Sequence, residues 1–385
     1  MKRWPTKSLG EVCELVNGAA FKPSDWDGSG LPIVRIQNLN DSTKPFNYTS
    51  RKIAEKFRVR PGDTLLSWSG TPGTSFGCFR WGGPEGWLNQ HIFNVHLNVQ
   101  MLPPFFIHQV NSKLDELIGK AHGGVGLQHI TKGALSSVNM TVPPLEEQER
   151  LVKLLDEADE LRKLRAQADR RTENLIPALF HEMFGEPREN TGKYQVVSLE
   201  SLCDKISDGT HKTPTYIASG VPFVTVKNIV TGQLDFSETK FISEQEHSEL
   251  TKRTKPERGD ILVSKDGTIG VPCPVDTDRD FSIFVSVALL KPKKELVDQN
   301  FLVGQLTTGW VQSQIREGTK GIAIKHLHLK DFKTLKLVLP PLALQKEFAQ
   351  RVGEIRELET SQSTSRSGLD NLFQSMLHRA FNGEL

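Results

Sequence analysis

The sequence lacks the features of a membrane-spanning or metal-binding protein. No apolar run approaches the roughly 20 residues that a membrane helix requires, and residues 1–7 lead into a mixed polar stretch without the apolar segment of a signal peptide. The cysteines form no C-x-x-C pair and have no histidines at zinc spacing; they are Cys13, Cys78, Cys203 and Cys273. We therefore expect a cytoplasmic protein with reduced thiols, no bound metal and no membrane partner.

Catalytic motifs are also missing. The chain has no Asn/Asp-Pro-Pro-aromatic motif of an amino-methyltransferase, no G-x-x-x-x-G-K-[ST] phosphate loop and no H-E-x-x-H zinc helix. The glycines of Gly123-Gly-Val-Gly126 have the wrong spacing for a G-x-G-x-x-G nucleotide loop. We expect no catalytic residues and no cofactor in this chain.

An internal repeat organises the 385 residues. Val142-Pro-Pro-Leu-Glu-Glu-Gln148 recurs as Leu339-Pro-Pro-Leu-Ala-Leu-Gln345, a shift of 197 residues. At the same shift, Pro61-Gly-Asp-Thr-Leu-Leu-Ser-Trp-Ser-Gly70 lies over Arg258-Gly-Asp-Ile-Leu-Val-Ser-Lys-Asp-Gly267. One module type therefore occurs twice.

Nearer the start of each copy the shift changes to 190 residues. Leu31-Pro-Ile-Val-Arg-Ile-Gln-Asn38 lies over Val221-Pro-Phe-Val-Thr-Val-Lys-Asn228 at that shift, and Cys13 lies over Cys203. The order is module, helix, module, helix, and we predict the boundaries 1–144, 145–188, 189–341 and 342–385.

The formal charge differs between these segments. Residues 1–144 have 15 Lys+Arg against 10 Asp+Glu (+5), and residues 189–341 have 20 against 19 (+1). Residues 145–188 have 8 against 11 (−3), and residues 342–385 have 5 against 6 (−1). The two globular modules therefore carry the positive excess, which is where a polyanion would bind.

Short apolar or alternating runs, punctuated by Gly, Pro and Asn, predict that each module is a twisted sheet with many loops. Each double proline then favours the first turn of a long helix. The predicted seam of the first helix consists of Leu151, Leu154, Ala158, Leu161, Ala168, Leu175 and Leu179. The predicted seam of the second consists of Phe348, Ile355, Leu358, Leu369, Leu372 and Met376.

Because both seams need a partner, we predict that the helices pair with each other as an antiparallel coiled coil about a pseudo two-fold axis. The fold class is then α+β, with two similar β-rich domains separated by two long helices. Two features oppose continuous helices: Pro177 is expected to kink or break the first, and the run Ser361–Ser367 is a poor helix former in the second.

The repeat, the two Pro-Pro-Leu-x-x-Gln helix starts and the closing Phe-Asn-Gly-Glu-Leu385 resemble the specificity subunit of type I restriction-modification systems. The resemblance covers the whole chain and depends on architecture more than on a catalytic signature. It implies two target-recognition domains that each bind one half of a split sequence in double-stranded DNA. It also implies helices that act as a ruler and hold two methyltransferase subunits.

In that family the methyltransferase (modification) subunits carry S-adenosylmethionine and methylate adenine, and separate motor/nuclease (restriction) subunits translocate and cut DNA. The resemblance thus implies that this chain has neither activity and is a recognition subunit, not an enzyme. A recognition subunit of a methylation-only or other phage-defence complex is the alternative within this class. A nuclease or transferase, and a scaffold whose modules bind protein, are alternatives from other classes.

Base recognition needs side chains with directed donors and acceptors, and backbone contacts need cations in loops. The DNA-binding candidates in the first module are Arg35, Gln37, Asn38, Trp68, Ser69 and Gln128. Those in the second module are Lys227, Asn228, Lys265, Lys320 and Lys325. For contact with methyltransferase subunits the candidates lie off the helix seam: Leu155, Leu164 and Phe180.

Each candidate also has a structural interpretation. Asn38 and Asn228 occupy the same place in both copies and could form a turn at a strand end. His129 and His326 also recur, which favours a framework role, because domains that bind different half-sites should differ where they contact bases. By that logic Trp68 against Lys265, and Gln37 against Lys227, are the better specificity candidates.

Overall fold

The computed structural model describes residues 4–70, 75–119, 122–124, 127–189, 192–319 and 327–385. The chain divides into two compact units. The first unit contains residues 1–166 and 364–385, and the second contains residues 167–363. Each unit therefore combines a β-rich part with segments of two long helices that are distant in sequence.

The first unit has two four-stranded sheets among its described residues. The strands of one are, in spatial order, Cys13–Asn17, Ile92–Leu97, Thr64–Ser67 and Gly77–Arg80. Those of the other are Asn47–Thr49, Leu31–Val34, Gly86–Leu88 and Arg58–Val59. Smaller sheets join Thr6–Ser8 to Asn139–Thr141, and His122–Gly124 to Leu127–His129 and Ser69–Gly70. The helices of this β-rich part are Leu9–Val12, Pro23–Asp25, Ile36–Asn40, Glu55–Phe57, Pro103–Asn111, Leu114–Gly119 and Lys132–Ser136.

The second unit repeats this plan. Its four-stranded sheet contains, in spatial order, Cys203–Asp208, Val287–Pro292, Ile261–Ser264 and Pro272–Pro274. Its smaller sheets join Lys240–Ile242, Val221–Val224 and Ser282–Ile283, and Gln195–Ser198 with Lys336–Leu339. The helices of its β-rich part are Pro187–Glu189, Leu199–Leu202, Val226–Asn228, Glu244–Thr251, Gln299–Leu306, Gly309–Gly318 and Leu329–Lys333.

Strand register confirms the repeat residue by residue. Asn17 faces Phe93 in the first unit, and Asp208 faces Ala288 at the same place in the second. The shift between copies is thus 191 residues here, although it is 190 at Cys203. The strand carries a β-bulge between Cys203 and Lys205, and the extra residue of the bulge accounts for the difference.

The long helices are the central helix, Leu145–Thr172, the short helix, Leu175–Phe184, and the C-terminal helix, Leu342–Phe381. The break after Thr172 confirms the prediction from Pro177, which is the third residue of the short helix, where a backbone N–H would have no intrahelical partner. Gln374 is at the equivalent position of the C-terminal helix and can donate its N–H.

The C-terminal helix is continuous over 40 residues, so the expected interruption at Ser361–Ser367 is wrong. Serine lowers helix propensity by only a few tenths of a kcal/mol per residue, whereas interrupting a long helix forfeits several backbone hydrogen bonds. The packed ends of this helix therefore outweigh its weak middle.

The long helices pair antiparallel within the first unit, as predicted. The Arg150 guanidinium donates to the main-chain oxygen of Leu385 at 2.8 Å, and further along the central helix Arg162 Nε donates to Asp370 Oδ1 at 2.7 Å. The partner residue number falls as the central-helix number rises, as antiparallel pairing requires. The core of this unit includes Leu151 and Ala158 from the central helix and also contains Phe373, Leu377 and Ala380 from the C-terminal helix. In the second unit the short helix packs instead on the start of the C-terminal helix, where Phe180 and Phe348 lie 5.6 Å apart, ring centre to ring centre.

Part of the predicted seam is wrong. Its four exposed members are Leu161, Leu175, Leu358 and Leu372. A straight helix has 3.6 residues per turn, so a seam assigned by steps of three and four drifts around the helix once the packing ends. The seam is buried only where a β-rich part also covers the helices.

A buried glutamine joins each long helix to its β-rich part. Gln148 accepts a hydrogen bond from the Leu102 N–H at 2.8 Å and donates to the carbonyls of Gln100 and Pro143 at 3.0 and 2.8 Å. Gln345 makes the equivalent three bonds, to Asp298, Leu296 and Pro340, in the second unit. These contacts explain the glutamine of the Pro-Pro-Leu-x-x-Gln motif.

Candidate nucleic-acid interface

One turn has the same hydrogen-bonding framework in both units. It follows the strand Leu31–Val34 in the first unit and the strand Val221–Val224 in the second. Asn38 is 3% exposed; its Oδ1 accepts from the Arg35 N–H at 3.1 Å and its Nδ2 donates to the Lys44 carbonyl at 3.1 Å. Asn228 does the same with the Thr225 N–H at 2.9 Å and the Asp235 carbonyl at 3.1 Å. The amide atoms of both side chains hold the turn, which is the structural interpretation, and neither side chain is available to a base edge.

The turns expose other side chains. Gln37 is exposed and its Nε2 donates to the Pro45 carbonyl at 3.3 Å. Lys227, at the equivalent position, is exposed and pairs with no described residue. The half-buried Arg35 donates from Nη1 to Asn47 Oδ1 at 3.1 Å. Chemically different groups therefore extend from equivalent turns, which are a short α-helix at Ile36–Asn40 and a 3₁₀ turn at Val226–Asn228.

Trp68 and Lys265 occupy equivalent positions and have equivalent partners. The Trp68 indole N–H donates to Asn17 Oδ1 at 3.3 Å, and Lys265 Nζ donates to Asp208 Oδ2 at 2.9 Å. The Trp68 ring also stacks on Phe93, with ring centres 5.6 Å apart. A neutral pair in the first unit is thus replaced by an ion pair in the second.

Lys265 is a poor candidate for a direct contact, because it is only 9% exposed. The buried Asp208 carboxylate that holds it also accepts from the Arg253 guanidinium at 2.7 Å and lies 3.5 Å from His211 Nε2. A buried carboxylate needs such partners to offset its desolvation. A cavity of about 190 Å³ adjoins this cluster and is lined by Gly209, Thr210, Glu249, Leu250, Arg253, Thr254 and Ile283. Arg253 is exposed, so it and not Lys265 presents positive charge to solvent.

The remaining DNA-binding candidates are placed as follows. Ser69 is buried in a two-residue strand that pairs with His129. Gln128 lies in the neighbouring strand, and only its backbone is described. Lys320 and Lys325 lie outside the described residues, as does His326.

Two of the three partner-binding candidates are wrong. Leu155 has no exposed surface and belongs to the core of the first unit, and Phe180 is buried among Phe184, Phe301 and Phe348 in the second. Both face the core because the β-rich parts cover the side of the helices that was assigned to a partner. Leu164 is 50% exposed, as a docking residue requires.

An exposed aromatic residue in each unit was missed. Trp26 lies beside Arg35 in the first unit, and Tyr216 lies beside Lys240 in the second. The repeat offered a signal, because a shift of 190 residues places Trp26 over Tyr216. Their neighbours differ in sequence, however, so the two segments do not align by identity.

The described part of the chain contains neither a metal-holding cluster nor an exposed thiol. Among those residues, no group of three or more His, Cys, Asp and Glu side chains is arranged to hold a metal ion. All four cysteines are buried and unpaired. Burial raises the pKa of the Cys13, Cys203 and Cys273 thiols to about 12 each, which keeps them protonated and unreactive. Within the same residues, no helix is both long and apolar enough to cross a membrane.

Known specificity subunits are similar to this chain along its whole length. The EcoBI type I restriction enzyme specificity subunit of Escherichia coli is 26% identical, over 99% of this chain and 86% of that protein. The MjaVIII specificity subunit of Methanocaldococcus jannaschii is 20% identical, over 99% and 93%.

Solved structures share the fold. A chain from a study of assembly and conformational transition in a type I restriction-modification system superposes with a TM-score of 0.62 at 20% identity, covering 99% of this chain and 98% of that one. The S subunit from M. genitalium superposes with a TM-score of 0.56 at 14% identity, covering 98% and 96%.

The family model for the type I restriction modification DNA specificity domain matches twice, over residues 1–170 and 191–363. The two matches correspond to the two copies of the β-rich fold and their adjoining helices. On this match the chain belongs to the family of type I restriction-modification DNA specificity subunits, whose members recognise DNA and are not catalytic.

Proposed function

We propose that each unit binds one half of a bipartite DNA target and that the chain thereby directs a methyltransferase to that target. The observation that carries this proposal is the duplicated fold, in which strand register is equivalent but side chains at the turns differ. Two equivalent frameworks with different polar groups suit two different half-sites. Gln37 against Lys227, and Trp68 with Asn17 against the Asp208 cluster, are the differences that support it.

The long helices set the spacer between the half-sites in this proposal. At 1.5 Å per residue the 40-residue C-terminal helix is roughly 60 Å long. At about 3.4 Å per base pair, that length bounds the distance between half-site centres at roughly 17 base pairs. In this proposal the ruler specifies a fixed number of unread base pairs.

The helices also offer a surface to two methyltransferase subunits. Large apolar side chains on them are partly exposed; in the first unit these are Leu145, Leu161, Leu164 and Leu372, which are 40% to 53% exposed. Partner subunits that pack against these leucines would remove their apolar surface from water. We assign S-adenosylmethionine and adenine methylation to those subunits, and DNA translocation and cleavage to restriction subunits of the complex.

We place the DNA contacts on polar groups that are exposed or half-buried and leave out the buried ones. Arg35, Gln37, Trp68 and Lys227 stay in the proposed interface, and Gln128, Lys320 and Lys325 remain predictions from the sequence. Arg253 replaces Lys265, because Lys265 is enclosed in the Asp208 cluster. Asn38, Asn228 and Ser69 are assigned to the framework.

Methylome sequencing tests the proposal. Cells that express this chain with its neighbouring methyltransferase are compared with cells that express the methyltransferase alone. The expected result is new adenine methylation at one split motif with a constant spacer, present only when this chain is expressed.

Two other outcomes are informative. No new motif, with the methyltransferase shown to be folded and bound to this chain, would refute DNA targeting and favour the scaffold alternative. Methylation at a split motif in cells that never cleave unmodified DNA would indicate the methylation-only alternative.

A further inference from the structure

Each unit exposes an aromatic ring that is covered by one cation. Trp26 is 38% exposed, and the Arg35 guanidinium lies 5.5 Å from the centre of its ring. Tyr216 is 37% exposed, and Lys240 Nζ lies 4.2 Å from the centre of its ring. We call Trp26 with Arg35, and Tyr216 with Lys240, the two aromatic–cation pairs.

The pairs occupy equivalent places in the two units. Ile33 faces Asn47 in the first unit, and Phe223 faces Lys240 in the second, so Asn47 and Lys240 correspond. The residues just after the aromatic side chains, Asp27 and Ile217, each form an isolated antiparallel bridge to the strand that follows. The two aromatic residues therefore occupy equivalent positions and are almost equally exposed, at 38% and 37%.

The chemistry of the pairs differs. In the first unit the cation is Arg35, and Asn47 on the adjacent strand orients it through the 3.1 Å hydrogen bond to Nη1. In the second unit the residue equivalent to Arg35 is Thr225, whose hydroxyl donates to Asn228 Oδ1 at 3.2 Å. The cation there comes from the adjacent strand, at Lys240. The cation therefore directly follows the strand Leu31–Val34 in the first unit, whereas in the second it lies on the adjacent strand, Lys240–Ile242.

Both aromatic residues have a polar end that the protein does not use. The Trp26 indole N–H and the Tyr216 hydroxyl make no hydrogen bond with any described residue. An exposed, rigid aromatic ring with an unused donor is typical of a binding surface, because it supplies contact area at little cost in conformational entropy.

The carboxylates near these rings are already engaged. Asp25 pairs with Arg51 at 3.2 Å, and Asp27 accepts hydrogen bonds from Ser29 and Ser50, which lower its pKa to about 2. In the second unit Glu246 accepts from the Thr215 N–H at 3.2 Å. At each site, therefore, no described carboxylate pairs with the cation, and the donor of the ring is not used.

We propose that the two aromatic–cation pairs are specificity-determining DNA contacts, one for each half of the target. This inference rests on the proposed function. If the pairs contacted two copies of one methyltransferase subunit, both pairs would meet the same surface. The same residues would then be needed in both units. Two different half-sites need different residues on one framework, which is what the pairs provide. Arginine and lysine are the usual partners of guanine in the major groove.

Exchanging the polar groups between units tests the inference. The double variant Arg35→Thr/Asn47→Lys gives the first unit the arrangement of the second, and Thr225→Arg/Lys240→Asn does the reverse. Each full-length variant is expressed with the methyltransferase, and the methylated motif is sequenced. We expect one base position in one half-site to lose or change its discrimination by roughly 10- to 100-fold, the effect of one good base contact, while the other half-site stays the same.

Milder variants guard against misfolding. Tyr216→Phe keeps the ring and removes only the unused donor, whereas Trp26→Phe keeps an aromatic ring but removes the pyrrole part of the indole together with its donor. Each is expected to lower discrimination roughly 5-fold or more at one position of its own half-site. Lys52→Gln and Lys294→Gln remove exposed cations elsewhere in the two units and should leave both half-sites unchanged. Thermal melting of every variant checks that it is folded.

The outcomes separate the two proposals. A split motif directed by the wild-type chain, with both half-sites unchanged in all four pair variants, would overturn the inference and leave the proposed function intact. A wild-type chain that directs no split motif removes the proposed function, and the inference fails with it. A change in both half-sites from a variant in one unit would also overturn the inference, because each pair is assigned to one half only.

Discussion

Replacing the buried Gln148 by leucine is expected to destabilise the first unit strongly. The side chain has no exposed surface and makes three hydrogen bonds to backbone groups, two of them on the segment before Pro103–Asn111 and one at Pro143. Leucine is close to glutamine in volume, so the packing changes little. The variant instead leaves one N–H and two carbonyls, of which the Pro143 carbonyl is buried, without this partner.

An unsatisfied buried polar group costs about 1–3 kcal/mol. The Leu102 N–H forfeits its bond entirely, whereas a carbonyl oxygen can retain a second acceptor site for another donor. Because Gln100 is exposed and its carbonyl can bind water, the expected loss is roughly 2–4 kcal/mol, out of about 5–15 kcal/mol for a typical domain. Gln345→Leu should have a similar effect on the second unit, because Gln345 makes the same three bonds.

Urea unfolding followed by circular dichroism measures the free energy of unfolding, and hydrogen exchange with mass spectrometry assigns the loss to a unit. The matched control is Gln167→Leu, at an exposed position of the central helix, which should change stability by no more than about 0.5 kcal/mol. Faster exchange is expected in Pro103–Asn111 for Gln148→Leu and in Gln299–Leu306 for Gln345→Leu.

A loss below about 1 kcal/mol in both leucine variants would refute the reasoning. It would mean that water or a local rearrangement satisfies the freed backbone groups. The glutamine of the Pro-Pro-Leu-x-x-Gln motif would then have a role other than joining each helix to its β-rich part.

Three further predictions concern the helices and the thiols. Leu164→Glu, at an exposed site, should leave the melting temperature of the chain unchanged but weaken co-purification with the methyltransferase; equal co-purification would remove Leu164 from the docking surface. Inserting seven residues into each long helix, after Ala166 and after Ser363, keeps the register of the antiparallel pairing and should lengthen the spacer by about 3 base pairs. Methylome sequencing measures the spacer, and an unchanged spacer would contradict the ruler. Burial raises the pKa of the Cys13, Cys203 and Cys273 thiols to about 12, so alkylation at pH 8 should be negligible in the native chain and complete after unfolding. Mass spectrometry measures the labelling of each cysteine, and rapid labelling of the native chain would show that these sites open.

Local patterns predicted much of the helical architecture. Two Pro-Pro-Leu-x-x-Gln segments marked the starts of two long helices, because proline restricts the backbone before it and suits a first turn. Pro177 marked the break in the first. The same reasoning failed at Ser361–Ser367, because propensity is a local quantity and the helix there is held by packing at both of its ends.

Contact residues were harder to predict, because partners lie far apart in the sequence. Nothing near Lys265 indicates that its ammonium meets Asp208, which is 57 positions earlier. Nothing near Trp26 indicates that Arg35 covers its ring. Leu155 was assigned to a partner surface because helical periodicity defines faces of a helix but not which face the rest of the chain will cover.

The sequence by itself determined the duplication, the fold class, the helix starts and the absence of known catalytic motifs, since each of these is expressed in residue order and spacing. Only the tertiary structure decided which polar side chains are enclosed and which are exposed. Asn38 and Gln37 are adjacent residues of similar chemistry, yet the first holds a turn and the second is exposed. That difference depends on which backbone groups surround each amide after folding, and residue order alone does not contain it.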